Sequence, residues 1–147
     1  MTHSPLKYSR RTPETQPPTL GSSLAAGYDL TSDEETFTIR PGEMKQVNTG
    51  IAVELPPNTV GELHVRSSVG IKLRLTLANK TGIIDPDYRG YISGYIVNEG
   101  ETDQVIERGQ RLFQLVLCLI ARPEPVEVAI LSETVRGEKG TGSTGKF

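Results

Sequence analysis

Along much of the chain apolar and polar residues alternate with a period of two, the pattern of strands that bury one face. In residues 71–78, Ile71, Leu73, Leu75 and Leu77 alternate with Lys72, Arg74 and Thr76, which predicts four aliphatic side chains on one sheet face. The same pattern predicts strands over 36–40, 44–55, 60–66, 91–98, 104–107 and 111–120. Turn-forming groups separate them: Pro41-Gly42, Pro56-Pro57-Asn58, Asp85-Pro86-Asp87, Asn98-Glu99-Gly100 and Arg108-Gly109. The dense apolar run 112–121 fits either a strand or a buried helix, and its bounds at Gly109 and Pro123 favour the strand. A short helix is expected around 126–135.

Composition points the same way. Fifteen glycines and ten prolines are 25 of 147 residues, about 17 percent against a usual ~12 percent, and no interval between them exceeds thirteen residues. Both residue types disfavour helix interiors, so many short strands joined by turns are expected. The length suits one domain. Its expected organisation is a loose N-terminal tail over 1–18, a body over 19–125 and a C-terminal segment over 126–147. From Arg136 onward that segment is too polar and glycine-rich to pack a core, so it is either disordered or ordered by what it binds.

Charge and chemistry exclude several function classes. Sixteen Lys and Arg against eighteen Asp and Glu leave a net charge of −2, without the bulk positive field of a stable nucleic-acid or anionic-membrane binder. A single cysteine, Cys118, and two histidines rule out an intrachain disulfide framework and a tetrahedral zinc cage. The run 112–121, interrupted by Gln114, falls short of the ~20 apolar residues of a spanning helix. The N-terminal residues lack the apolar centre of a signal peptide. A soluble, intracellular protein of cytoplasm or nucleus is expected. No GxxxxGK[ST] loop is present, and His64 reads as a polar residue on a sheet face rather than a member of a triad.

Five short clusters interrupt the strand-like pattern. Ala25-Ala26-Gly27-Tyr28-Asp29-Leu30 combines small residues with a carboxylate and, taken alone, is a turn entering a strand. Arg66-Ser67-Ser68-Val69-Gly70 places a guanidinium, two hydroxyls and backbone N–H groups in a turn, a set that suits phosphate oxygens. Gly82-Ile83-Ile84-Asp85-Pro86-Asp87-Tyr88-Arg89-Gly90 is a hairpin-like break with two carboxylates, a tyrosine and an arginine. In Arg108-Gly109-Gln110-Arg111-Leu112-Phe113-Gln114-Leu115, alternation puts Arg111, Phe113 and Leu115 on one face and Leu112 and Gln114 on the other; a buried amide there needs a partner. The fifth is the segment 136–147, whose Arg136, Lys139, Ser143 and Thr144 suit an oxyanion.

In this order and spacing, from about Gly21 to Gly145, the five clusters resemble the five motifs of the trimeric deoxyuridine triphosphate nucleotidohydrolases, the dUTPases. The resemblance implies an all-β, distorted jelly-roll β-barrel of the β-clip kind. It also implies a homotrimer with three sites between subunits and a mobile C-terminal arm closing over each. The implied reaction is hydrolysis of dUTP to dUMP and pyrophosphate by water attack on the α-phosphorus, which keeps uracil out of DNA and supplies dUMP for dTMP synthesis. Asp85 would orient the water and help remove its proton. Tyr88 would lie against the deoxyribose and exclude a 2′-hydroxyl, while Asn79 and backbone groups around Gly82, Ile83 and Ile84 would pair with the uracil edge. Arg66, Ser67, Ser68 and Gln114 would contact phosphates; Arg136 with Gly142, Ser143 and Thr144 would clamp the distal phosphate from the arm. Asp29 would have a structural role and act on the metal indirectly, through water. Mg²⁺ would be held mainly by the substrate phosphates and water.

The chain departs from that family pattern in two places. Thr141 stands where an aromatic residue commonly stacks on uracil, and a stacked ring is worth ~1 to 3 kcal/mol, so substrate binding roughly ten- to hundredfold weaker is expected unless Phe147 folds back. Val65-Arg66-Ser67-Ser68 replaces a version with proline first and glycine last, which affects local turn geometry. Deoxycytidine triphosphate deaminases share the fold and the Arg-Ser-Ser turn, but their catalytic glutamate falls three residues before an asparagine. Here Tyr95 precedes Asn98. A regulatory or binding protein derived from a dUTPase, with weak or no catalysis, is the alternative that Thr141 favours.

Overall fold

The computed structural model describes residues 4–140, so the expectations attached to Thr141, Gly142, Ser143 and Thr144 lie outside the described residues. The strands are β1 (Lys7–Arg10), β2 (Thr19–Leu20), β3 (Gly27–Thr31), β4 (Phe37–Ile39), β5 (Met44–Asn48) and β6 (Ile51–Glu54). After them come β7 (Thr59–Val65), the helix α1 (Ser67–Lys72), β8 (Leu75–Leu77), β9 (Gly82–Ile84), β10 (Ser93–Asn98), β11 (Gln104–Ile106) and β12 (Arg111–Leu119). The all-β class therefore holds. The strands form four ladders, ordered β1-β6, β5-β10-β8, β11-β4 and β2-β3-β12-β7-β9; no closed barrel sheet is formed among the described residues. Every pairing is antiparallel.

The apolar faces meet in one core. Leu30, Ile39, Val47, Ile51, Leu63, Leu77, Ile96, Ile106 and Leu115 are inaccessible or nearly so, and Phe113 is the largest side chain among them. Phe113 fits because residue 94 is glycine: a Cβ there would run into its ring. The run 112–121 is a strand, and a bulge between Arg111 and Phe113 lets Leu112 and Phe113 both turn inward.

Four expectations about the elements need correction, the first being that the one strand expected over 44–55 is two, β5 and β6, which join different ladders. The strand predicted over 71–78 is confined to Leu75–Leu77. Residues 67–72 are helical instead, because the Arg66 carbonyl accepts the Val69 and Gly70 N–H groups and Arg74, at φ 56°, reverses the chain before β8. Ile71 is consequently exposed. The first eighteen residues are not a loose tail throughout, since β1 pairs with β6 from Lys7↔Glu54 to Arg10↔Ile51. Arg11 then meets the buried carboxylate of Asp33 at 2.8 Å, and the Thr15 hydroxyl donates to the same group at 3.1 Å. The short helix expected around 126–135 does not form, and those residues have neither helix nor strand and lie exposed. No helix among the described residues is long and apolar enough to cross a membrane.

Candidate active site

The third cluster is not a simple hairpin. β9 pairs with β7, whereas β10 pairs with β5 and β8, so residues 85–92 cross from one sheet to another. Alternation along β9 buries Ile84 and leaves Ile83 and the following Asp85 exposed. The turn is closed by the Tyr88 N–H donating to the Asp85 carbonyl at 3.1 Å, and by Arg89 Nη1 donating to the Pro86 carbonyl at 2.7 Å. Tyr88 then donates its phenol proton to the Tyr91 carbonyl at 3.3 Å. Gly90 permits this, because a Cβ at that position would meet the Tyr88 hydroxyl. On the other side of β9, Lys80 at φ 65° makes a tight turn that sets Asn79 beside the strand.

These residues wall a cleft of about 480 Å³. One wall is Asn79, Gly82, Ile83, Ile84, Asp85 and Tyr88; the other carries Gln46 and Asn48 from β5 with Tyr91, Ser93 and Tyr95 along β10. The register explains the second wall, since Ser93 lies opposite Asn48 and Tyr95 opposite Gln46, which puts all four on one face. The cleft thus combines an exposed carboxylate, several amides and three aromatic rings, a lining suited to a flat polar heterocycle with an attached polar chain.

The second, first and fourth clusters form a separate group. Asp29 is buried on β3, and its Oδ1 receives Arg66 Nε at 3.1 Å while its Oδ2 receives Arg111 Nη1 at 3.2 Å. Strand order explains the meeting: β12 runs between β3 and β7, with Gln114 opposite both Asp29 and His64, and Arg66 follows two residues after His64 on the same face. The bulge corrects the alternation expected for β12, moving Arg111 to the Gln114 face, opposite Thr31. Gly27 leaves room for the Gln114 side chain, since a Cβ there would lie 2.6 Å from Gln114 Cγ. One carboxylate between two guanidinium groups leaves local positive charge, and the exposed Ser67 and Ser68 begin α1 beside it. An anion suits this place. On the same face His64 Nε2 lies 3.1 Å from Glu62 Oε2.

The two groups do not meet within one chain. β9 runs alongside β7 with Gly82 opposite Leu63 and Ile84 opposite Gly61, so Asp85 lies near the level of Val60 while Arg66 leaves the other end. At ~3.3 Å per residue the separation along β7 is about 20 Å. Arg136 joins neither group; it is exposed, and its Nε donates to the Lys139 carbonyl at 3.2 Å. The sequence reading missed Arg111 because it assumed strict alternation. It missed Gln46, Asn48, Tyr91, Ser93 and Tyr95 because an outward strand position looks the same whether it faces solvent or a cleft. Among the described residues no three His, Cys, Asp or Glu side chains converge as a metal cage, and both Asp29 oxygens already face arginines.

A family model described as dUTPase matches residues 14–145. The deoxyuridine 5′-triphosphate nucleotidohydrolase of Thermoanaerobacter sp. is 45% identical over 129 residues, 87% of each chain. That of Rickettsia typhi is 40% identical over the same share of both chains. Among solved structures, a mutant dUTPase of Staphylococcus bacteriophage 80alpha with dUpNHpp superposes with a TM-score of 0.88 at 30% identity, covering 96% of this chain and 98% of that one.

Proposed function

The chain belongs to the dUTPase family, and on that premise we propose that it hydrolyses dUTP to dUMP and pyrophosphate. The observation that carries this reading is the cleft between β9 and β10, where a carboxylate, Asp85, stands with Tyr88 beside a base-sized space edged by Asn79. Asp85 orients the attacking water and takes its proton as the oxygen bonds to the α-phosphorus and pyrophosphate departs. Tyr88, fastened through its hydroxyl to the Tyr91 carbonyl, presents its ring to the sugar and leaves no space for a 2′-hydroxyl. Asn79 and the backbone of Gly82, Ile83 and Ile84 read the uracil edge.

Arg66, Ser67, Ser68 and Gln114 bind the phosphates. Arg66 lies about 20 Å from Asp85 along β7, too far for both to act on one nucleotide within one chain, which supports a site assembled between copies. The C-terminal segment supports this as well: Val126, Val128, Ile130 and Leu131 are more than half exposed in the single chain, an arrangement that a neighbouring copy relieves. A homotrimer with three sites between subunits is the assembly proposed. Arg136 and the arm beyond it, with Gly142, Ser143 and Thr144, close on the distal phosphate.

Mg²⁺ fits as a group held by the triphosphate and water. Asp29 braces Arg66 and Arg111 with its two oxygens, so it would act on the metal only through water. When bound, the ion neutralises charge on the phosphate oxygens. Localisation to cytoplasm or nucleus belongs to the same proposal. Tyr95 in the cleft supplies no carboxylate, so deamination lacks its general base.

Release of pyrophosphate from dUTP, with dTTP, dCTP and UTP as competitors, tests the reading. Turnover confined to dUTP and reduced about 10² to 10⁴-fold in Asp85→Asn is expected. A folded parent oligomer without turnover overturns it in favour of the regulatory or binding protein.

A further inference from the structure

The two ends of the cleft differ chemically, and backbone hydrogen bonds fix which end is which. At one end the Tyr88 phenol donates to the Tyr91 carbonyl, beside the turn that carries Asp85. At the other, the Ala78 N–H donates to the Tyr95 carbonyl at 2.8 Å, which sets Asn79 next to Tyr95. Tyr91, Ser93 and Tyr95 follow one another at every second position of the same wall, so the tyrosines at its ends stand about 13 Å apart. On the reading of this cleft as the nucleotide site, its Asp85 end takes the reacting phosphate and its Asn79 end, where Tyr95 stands, takes the base.

Tyr95 is 48% exposed although its cross-strand neighbour Gln46 and the facing Ile83 share the cleft with it. The residues that precede and follow it in β10, Gly94 and Ile96, face the core, where a Cβ at Gly94 would run into the Phe113 ring. Tyr95 therefore contributes nothing to core packing, and its strand is anchored without it. A large aromatic residue that packs no core but lines a cleft of about 480 Å³ offers its π-face to whatever enters. A nucleobase is the ligand whose shape and polarizability match a ring flanked by amides.

We propose that Tyr95 is a base-binding residue: its ring supports the pyrimidine of the substrate at the Asn79 end of the cleft and contributes to affinity rather than to the chemical step. This inference rests on the reading of the cleft as the nucleotide site. The ring, not the hydroxyl, carries the effect, so phenylalanine substitutes for it and leucine does not.

The test compares Tyr95→Phe, Tyr95→Leu and Tyr95→Ala with the parent in the full-length oligomer. For dUTP hydrolysis the Michaelis constant is expected to rise about tenfold in the alanine and leucine variants, with kcat within twofold, and to stay at the parent value in the phenylalanine variant. The chain holds five tyrosines and no tryptophan, so tyrosine emission is readable without interference, and its quenching by dUMP should shrink in the alanine and leucine variants. An unchanged Michaelis constant in Tyr95→Ala, or a fall in kcat alone, overturns the inference. If Tyr95→Ala does not fold by circular dichroism, the contrast between Phe and Leu decides. If the parent does not hydrolyse dUTP, the reaction reading fails separately, and calorimetric dUMP binding to the same variants still decides: weaker binding in Tyr95→Leu upholds the base site, and equal binding or none at all overturns it.

Discussion

Asp29 and Arg111, 82 residues apart in sequence, are joined by a 3.2 Å ion pair that exists because the bulge at Leu112 turns Arg111 toward β3. The other Asp29 oxygen holds Arg66 at 3.1 Å. A single buried carboxylate thus orients both guanidinium groups at the proposed phosphate site.

Arg111→Leu should raise the Michaelis constant for dUTP several-fold, because Arg66 loses the counterweight on its carboxylate partner. The stability cost is small, about 1 kcal/mol by urea denaturation, since Arg111 is half exposed and its ion pair is screened by water. Asp29→Asn should cost more, about 2 kcal/mol, because it leaves two neighbouring cations without their shared anion. An Arg111→Leu variant with unchanged kinetics would show that the brace has no part in substrate binding.

Packing at Gly94 and Phe113 should behave as one unit. Phe113→Ala is expected to lose about 3 to 5 kcal/mol by leaving a cavity. Gly94→Ala is expected to lose about 1 to 3 kcal/mol by forcing the added methyl against the Phe113 ring. In a Phe113→Leu background the Gly94→Ala cost should fall by at least half, and a thermodynamic cycle of the four proteins measures this coupling.

The N-terminal segment is held at Asp33. Arg11 reaches its Oδ2 at 2.8 Å and Arg108 its Oδ1 at 3.4 Å, and the carboxylate is almost wholly buried. Asp33→Ala should therefore detach residues 11–15 and lower stability by about 1 to 3 kcal/mol, the range for a lost charged hydrogen-bond partner. Hydrogen exchange should accelerate in β1 more than in β12.

Acid should loosen β1 through a different pair. The Lys7 ammonium donates to Glu54 at 2.7 Å and holds the Glu54 carboxyl below the usual carboxylate range. A carboxyl lowered on folding stabilises above its unfolded pKa, and the contribution disappears as pH falls through the folded value. Amide protection of Lys7–Arg10 relative to β12 should accordingly decline on acidification below the ordinary carboxyl range and remain flat from neutral pH to mildly alkaline. Lys7→Met should remove that acid dependence.

Most strands were legible because one buried face imposes period two, as in β10, where Gly94, Ile96 and Asn98 point inward. The 71–78 run shows where the pattern misleads. Its alternation is present, yet the Arg66 carbonyl and the left-handed Arg74 make a helical turn out of its first half. The site was legible as residue types, since Asp85 and Tyr88, and likewise Arg66 and Ser67, are neighbours in sequence. The second wall of the cleft was not, because Gln46 and Tyr95 belong to strands whose pairing is non-local.

By itself the sequence determined what local chemistry dictates: strand-forming alternation, turns at glycine and proline, the absence of a disulfide framework, and the order of the five clusters. Tertiary structure alone decided which of those clusters meet. Asp29 reached Arg66 and Arg111 because β12 inserts between β3 and β7, and the Arg111 contact further required one extra residue in the β12 ladder. Asp85 was kept about 20 Å from Arg66 by the register of β9 on β7. Strand order and register arise from burial summed over the whole core, a long-range quantity that no window of neighbouring residues contains.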